Sequence, residues 1–216
     1  MTPAGATGEP PRNCPLCPRL VDFRAANRGV HPDYFNDPVP GFGDRNGRLL
    51  IIGLAPGLHG ANRTGRPFTG DYAGDLLYSS LLRHGLARGN YEQRADDTLE
   101  LIDCMITNAV RCVPPDNKPQ PIEIRTCRQF LSAQIATMSN LRAILTLGRI
   151  AHDSTCKVLS VSMREYPFAH GGQHRHERLT LIASYHCSRY NTNTGVLTHE
   201  MFDSAVAAAK AAAADC

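Results

Sequence analysis

The sequence predicts an α/β fold in a single domain: a central, mostly parallel, four-stranded sheet with helices on both faces. Three observations carry this. Four short apolar runs rich in branched residues, at 49–53, 101–107, 143–147 and 179–184, have strand length and little polar alternation, as strands buried on both faces do. Helix-period segments lie between them, and strand–helix alternation builds parallel sheets. A chain of 216 residues supports one sizeable core.

The helices follow in order. At 75–86, Leu76, Leu77, Leu81 and Leu82 form one stripe, with Asp75 or Asp71 as the cap. The segment 121–138 opens with Pro121 and Glu123, as a helix start should. Residues 149–161 follow the third strand. The last helix covers about 196–213, with Leu197, Met201, Ala205 and Ala208 on one face. Residues 1–12 are small and Pro-rich and read as a flexible tail, leaving 13–216 as the domain. In such folds ligands bind at the carboxyl ends of the strands. The unusual sequence falls there, at 54–71, 108–121 and 185–195, whereas the loop after the third strand reads as ordinary.

Composition narrows the function. Hydrophobic residues make up 42% of the chain, which favours an ordered globule. A net charge of +3 with 9 His is too mild to hold nucleic acid by charge alone, so any such contact is expected to be local and in a groove. No apolar run reaches membrane-spanning length, and the N-terminus lacks the features of a secretion leader. The cytoplasm is the expected compartment and a monomer the expected state. In that reducing setting, 8 Cys suggest a metal centre or buried thiols rather than disulfides.

Cys14 and Cys17 form a CPLC knuckle, and Cys112 and Cys127 follow far downstream in polar, Pro-rich surroundings. A Cys-x2-Cys turn points two sulfurs at one centre and is a common half of a tetrathiolate site. Composition leaves zinc and iron–sulfur both open. Cys104 and Cys156 read as element residues and Cys216 has no evident role. His170, His174 and His176 read as a solvated turn.

Three loops carry candidate chemistry. The first is dense in glycine, which lets backbone amides approach a ligand closely, but it lacks both the phosphate-loop ending and GxGxxG. Within it Phe68 suits stacking on a flat ring or sealing the core. Asp71 suits a general base, an electrostatic stabiliser or a helix cap. In the second loop Asn108 offers an amide donor and acceptor for the edge of a base, or for an ordinary turn. In the third, His186 is placed to donate to a developing oxyanion, and Ser188, Arg189, Tyr190 and Asn191 to probe a groove.

Taken in one order, GLAPG at 53–57, GRPFTGD at 65–71, TNAVRCVPPDNKP at 107–119 and H-x-S-x-x-N at 186–191, joined to the four cysteines, resemble the iron–sulfur branches of the uracil-DNA glycosylase superfamily. Leu54 sorts the chain further. The family-4 branch usually has Glu there, whereas HGANRTGRPFTGD resembles the HGxNRTGRxFTGD of the family-5, UdgB-type branch. The likeness runs from Cys14 to Ala208.

That resemblance implies a [4Fe-4S] cluster on Cys14, Cys17, Cys112 and Cys127. It implies excision of uracil, and of other deaminated bases such as hypoxanthine, from duplex DNA without strand cleavage. Asp71 and His186 would be catalytic. Leu54, Ala55, Phe68 and Asn108 would hold the base, and Ser188, Arg189, Tyr190 and Asn191 would contact DNA. One departure is Cys187, where the family usually has Pro. An iron–sulfur redox protein would explain the cysteines but leave GRPFTGD and 186–191 unused. A nucleotide-binding module would use the Gly-rich loop alone.

Overall fold

The structure, a computed structural model, describes residues 8–215. Its elements run in order: α1 Pro18–Val30, β1 Phe42–Gly43, β2 Leu49–Gly53, α2 Ala61–Thr64, α3 Tyr72–Arg83, β3 Ala87–Arg88, β4 Glu100–Leu101 and β5 Cys104–Asn108, followed by α4 Pro121–Thr137, β6 Ala143–Leu147, α5 Arg149–Val158, β7 Gln173–His176, β8 Leu179–Ser184, α6 Arg189–Asn193 and α7 His199–Ala214. The main sheet has six strands in the order β1-β5-β2-β6-β8-β7. The four apolar runs supply its centre, β5-β2-β6-β8, with every neighbour parallel. The two edges, β1 and β7, run antiparallel.

The expected four strands are therefore six. β1 is two residues long, and β7 reads QHRH, whose alternating exposure is that of an edge. Edges need no apolar run and are protected by polar side chains. His174 and His176 thus belong to a strand rather than a turn. The second run starts at Cys104 instead of Leu101, because Asp103 takes a left-handed φ of 54° and breaks the chain. Residues 100–101 pair with β3 in a separate hairpin.

Helix ends shift for equally local reasons. Asp71, not Asp75, caps α3, accepting from the Gly74 amide at 3.1 Å. Thr198 caps α7, which starts at His199. Helix α1 was not legible: it buries only Leu20, Arg24 and Asn27 and so shows no apolar stripe. Of the segment read as a tail, residues 8–12 are tied down. Glu9 pairs with the buried Arg111 at 2.8 Å and accepts from the Gly41 amide, and Arg12 pairs with Asp37. Residues 1–7 and Cys216 lie outside the described residues.

Successive residues of each central strand serve opposite faces. Leu49, Ile51, Ile106, Leu145 and Ile182 join the cluster under α3 and α7. Leu50, Ile52, Met105, Ile144 and Leu181 join the cluster that includes Leu131 of α4 and Ala151 and Cys156 of α5. Both faces are covered, so functional side chains emerge at the strand ends. Among the described residues no helix is long and apolar enough to cross a membrane.

Phe202 of α7 is fully buried against this sheet. Phe202→Ala is expected to cost about 3–5 kcal/mol, read from the urea unfolding midpoint at unchanged slope. A cost below about 1 kcal/mol would show that α7 is not held as described.

Candidate active site

Gly53 and Asn108 are the last residues of β2 and β5 and are partners in register. Around them Ala55, Phe68, Asp71, Asn108 and His186 line one pocket of about 260 Å³, with Gly57, Ala61 and Ala73 completing the wall. Three loops separated in sequence are thereby brought to one carboxyl edge. Of the residues expected to hold a base, Ala55, Phe68 and Asn108 line the pocket. Leu54 contributes backbone, its carbonyl accepting from the Val110 amide at 2.9 Å.

Gly53 makes the floor possible. A methyl group there would run into the Asn108 amide oxygen and the Phe68 ring. Phe68 is 6% exposed and belongs to the main core cluster, yet it lines the pocket. The core reading of Phe68 holds, and the same ring also faces the pocket. Its φ of 52° is unusual for a bulky side chain and costs on the order of 1–3 kcal/mol unless the surroundings enforce it. Asn108 is buried, and among the described residues its Oδ1 has no hydrogen-bond partner. A buried acceptor left open costs about 1–3 kcal/mol, and this one belongs to a residue that lines the pocket.

Asp71 caps α3 through one oxygen. The other would be struck by a methyl group on Gly60, so two carboxylate atoms serve a helix and a pocket at once. Burial raises its carboxyl above the ordinary 3.8, the Asp75 charge adds to this, and the Gly74 and Ala73 amides oppose it. Burial pushes the His186 imidazole down to about 4, so it is neutral at physiological pH. Its ring lies 6.0 Å from that of Phe68 with planes 28° apart. Gly148, at φ 95°, leaves room behind it: a methyl group there would touch the His186 Cβ at 3.4 Å.

The third loop is built by its own motif. Ser188 caps α6 by accepting from the Asn191 amide at 3.3 Å, and Asn191 Nδ2 donates to the His186 carbonyl at 2.8 Å. These two side chains shape the turn that presents His186. Arg189 sits over the Tyr72 ring at 5.4 Å, and Tyr190 is 74% exposed. Cys187 is fully buried, and its thiol donates to the Ala73 carbonyl at 3.5 Å, pinning the loop to the start of α3. Sequence reasoning missed Asn117. It follows Asp116 in a turn where both have left-handed φ, 54° and 55°. A methyl group on Gly57 would stand 3.4 Å from Asp71 Oδ2 and 4.0 Å from Asn117 Oδ1, which brings both side chains near that glycine. The only signal was the PPDN string itself.

Cys14, Cys17, Cys112 and Cys127 line a second, small cavity, with Leu20, Val110 and Phe130 in its wall. Among the described residues no three ligating side chains converge as one ion requires. A single tetrahedral ion with bonds of about 2.3 Å would draw its sulfurs to within about 4 Å of one another. Arg24 Nη1 donates to the Cys112 sulfur and the Arg111 amide to the Cys127 sulfur, each at 3.4 Å. Ala55 packs against this cysteine cluster and also lines the pocket, so the two sites share a wall.

The family model described as the uracil DNA glycosylase superfamily matches residues 40–210, and the chain belongs to that superfamily. Within it the chain is similar to type-5 members. It is 45% identical over 201 residues to the type-5 uracil-DNA glycosylase of Thermus thermophilus, covering 88% of this chain and 89% of that one. It is 43% identical to the type-5 enzyme of Mycobacterium leprae, over 88% and 87% of the two chains. The type-4 uracil-DNA glycosylase of Pyrobaculum aerophilum is 35% identical over 65% of this chain and 58% of its own.

The raised Asp71 carboxyl has a consequence for stability. A group whose folded pKa is raised opposes folding as pH climbs through that value, because the unfolded chain ionises more freely. Asn is as good a cap as Asp. Asp71→Asn is therefore expected to melt at or above the wild-type temperature at pH 7, with the gain vanishing as pH falls below the ordinary 3.8. Destabilisation at pH 7 would refute the assigned environment.

Proposed function

We propose that this protein is a monofunctional glycosylase that hydrolyses the N-glycosidic bond of uracil in duplex DNA and leaves an abasic site. Hypoxanthine and other deaminated bases are proposed as further substrates. The observation that carries this is the pocket in which the unpartnered Asn108 oxygen, the Phe68 ring, the Asp71 carboxylate and the neutral His186 ring converge. The names of its type-5 relatives support the same reading.

Breaking the bond gives an oxocarbenium-like sugar and an anionic leaving base, and the base must first leave the stack. Phe68 stacks on the flipped ring, and the open Asn108 oxygen accepts from its polar edge. His186, being neutral, donates a ring N–H to the oxygen that gains charge beside the broken bond, joined by backbone amides at Leu54 and Ala55. One such preorganised donor contributes roughly 3 kcal/mol. Asp71 stabilises the cationic sugar and positions water. Arg189 and Tyr190 enter the minor groove and fill the gap left by the base. No lysine lines the pocket, so cleavage of the strand through a Schiff base is not expected.

The four cysteines that line one cavity, Cys14, Cys17, Cys112 and Cys127, are an all-thiolate set of the kind that holds a [4Fe-4S] cluster, and that is the proposed occupant. The two N–H···S contacts are of the kind that tune such clusters. Its role here is to staple the N-terminal segment to the loop that bears Asn108, with no part in the bond cleavage. The protein is proposed to act as a monomer in the cytoplasm.

The decisive assay is single-turnover incubation with duplexes carrying uracil or hypoxanthine, followed by alkali. Wild-type protein should yield alkali-labile sites, and His186→Ala should slow uracil release roughly a hundredfold with little change in binding to abasic DNA. No labile sites on uracil duplex would end the proposal. Separately, purified protein should be brown. Replacing Cys14 or Cys127 by Ser should remove colour and thermal stability together, whereas a colourless, fully active, zinc-containing protein would exclude the cluster.

A further inference from the structure

Segment 87–101, the small β3–β4 hairpin, carries no motif, yet its loop reaches the back of the GRPFTGD segment. The Tyr91 hydroxyl donates to the Phe68 carbonyl at 3.2 Å and accepts from the Gly70 amide at 3.3 Å. Tyr78 takes the preceding carbonyl, Pro67, at 2.6 Å. The two tyrosine rings lie 4.6 Å apart. Arg66 sits over both and over Phe42, and is fixed by two 2.7 Å bonds to Asp97 of the same hairpin loop. Gly74 is needed for this approach, since a methyl group there would strike the Phe68 carbonyl and the Tyr91 hydroxyl.

The peptide groups on both sides of Phe68 are thus held from outside the pocket, at the one pocket residue with a left-handed φ. We propose that Tyr91 is a positioning residue for base stacking: its hydroxyl clamps the Phe68 backbone so that the ring stays aimed at the flipped base. The inference rests on the proposed glycosylase activity and extends it to a residue that touches no substrate. The hairpin is then a brace for the first loop, and Asp97 anchors it through Arg66.

The test is a double-mutant cycle between Tyr91→Phe and Phe68→Ala on a uracil duplex. Tyr91→Phe keeps the ring against Tyr78 and Arg66 and removes only the hydroxyl. It should melt cooperatively near the wild-type temperature and lose about fivefold to tenfold in single-turnover rate, as the loss of one or two net hydrogen bonds allows. If the hydroxyl acts through Phe68, the double variant should be no slower than Phe68→Ala alone. A merely structural role would leave the two losses multiplying, and that result overturns the clamp. So does a wild-type rate for Tyr91→Phe, or loss of its cooperative melting. Failure of the wild-type protein itself to release uracil would instead sink the activity reading, and the clamp with it.

Discussion

The space above the end of β2 is what the rest of this structure serves. Gly53 offers no side chain where Asn108 of the neighbouring strand and Phe68 of the first loop meet. A parallel register places those residues at one height, and the missing Cβ lets them approach. Everything that makes the pocket chemical is arranged around that gap. The Phe68 ring closes one side, His186 stands beside it, and Asp71 reaches in from the cap of α3. The doubly covered sheet is rigid enough to hold a buried acceptor with no partner and a bulky residue in a left-handed conformation. Such features persist only where surrounding structure enforces them.

The electrostatics divide along the same line. One group in the pocket is a carboxylate that burial resists, and another is an imidazole that burial keeps neutral. Burial thus acts on both groups in the same sense, disfavouring the charged form of each. Both groups oppose folding slightly: His186 as pH falls from its ordinary 6.5 toward about 4, Asp71 as pH rises through its raised value. The pocket is thus a place where stability is given up for pre-set charge states, a common signature of functional sites.

Much of this was legible in the chain. The four central strands could be read because burial on both faces demands unbroken apolar runs, and the carboxyl-edge rule then pointed to the right loops. The knuckle was enough to group Cys14 and Cys17 with Cys112 and Cys127, which do line one cavity, but the polar context expected of the distant pair is not found: both are buried beside Val110 and Phe130. What stayed hidden lacked periodicity. Edge strand β7 is polar because one side faces water, and α1 has no stripe because it covers a cysteine cavity rather than the sheet. Gly148 and Tyr91 act through backbone space and a single hydroxyl, which no local pattern announces. Ser188 and Asn191 carried a motif, but their contacts within the protein shape the loop.

The cysteine cavity also orders events in time. Cys14 and Cys17 leave the ribosome early, but Cys127 lies beyond the middle of the chain and on α4, after three strands of the main sheet. The cavity cannot close until that helix exists, so the first two thiols spend much of synthesis without their partners. The wall of the cavity is therefore completed only once α4 is in place, however early the first knuckle emerges.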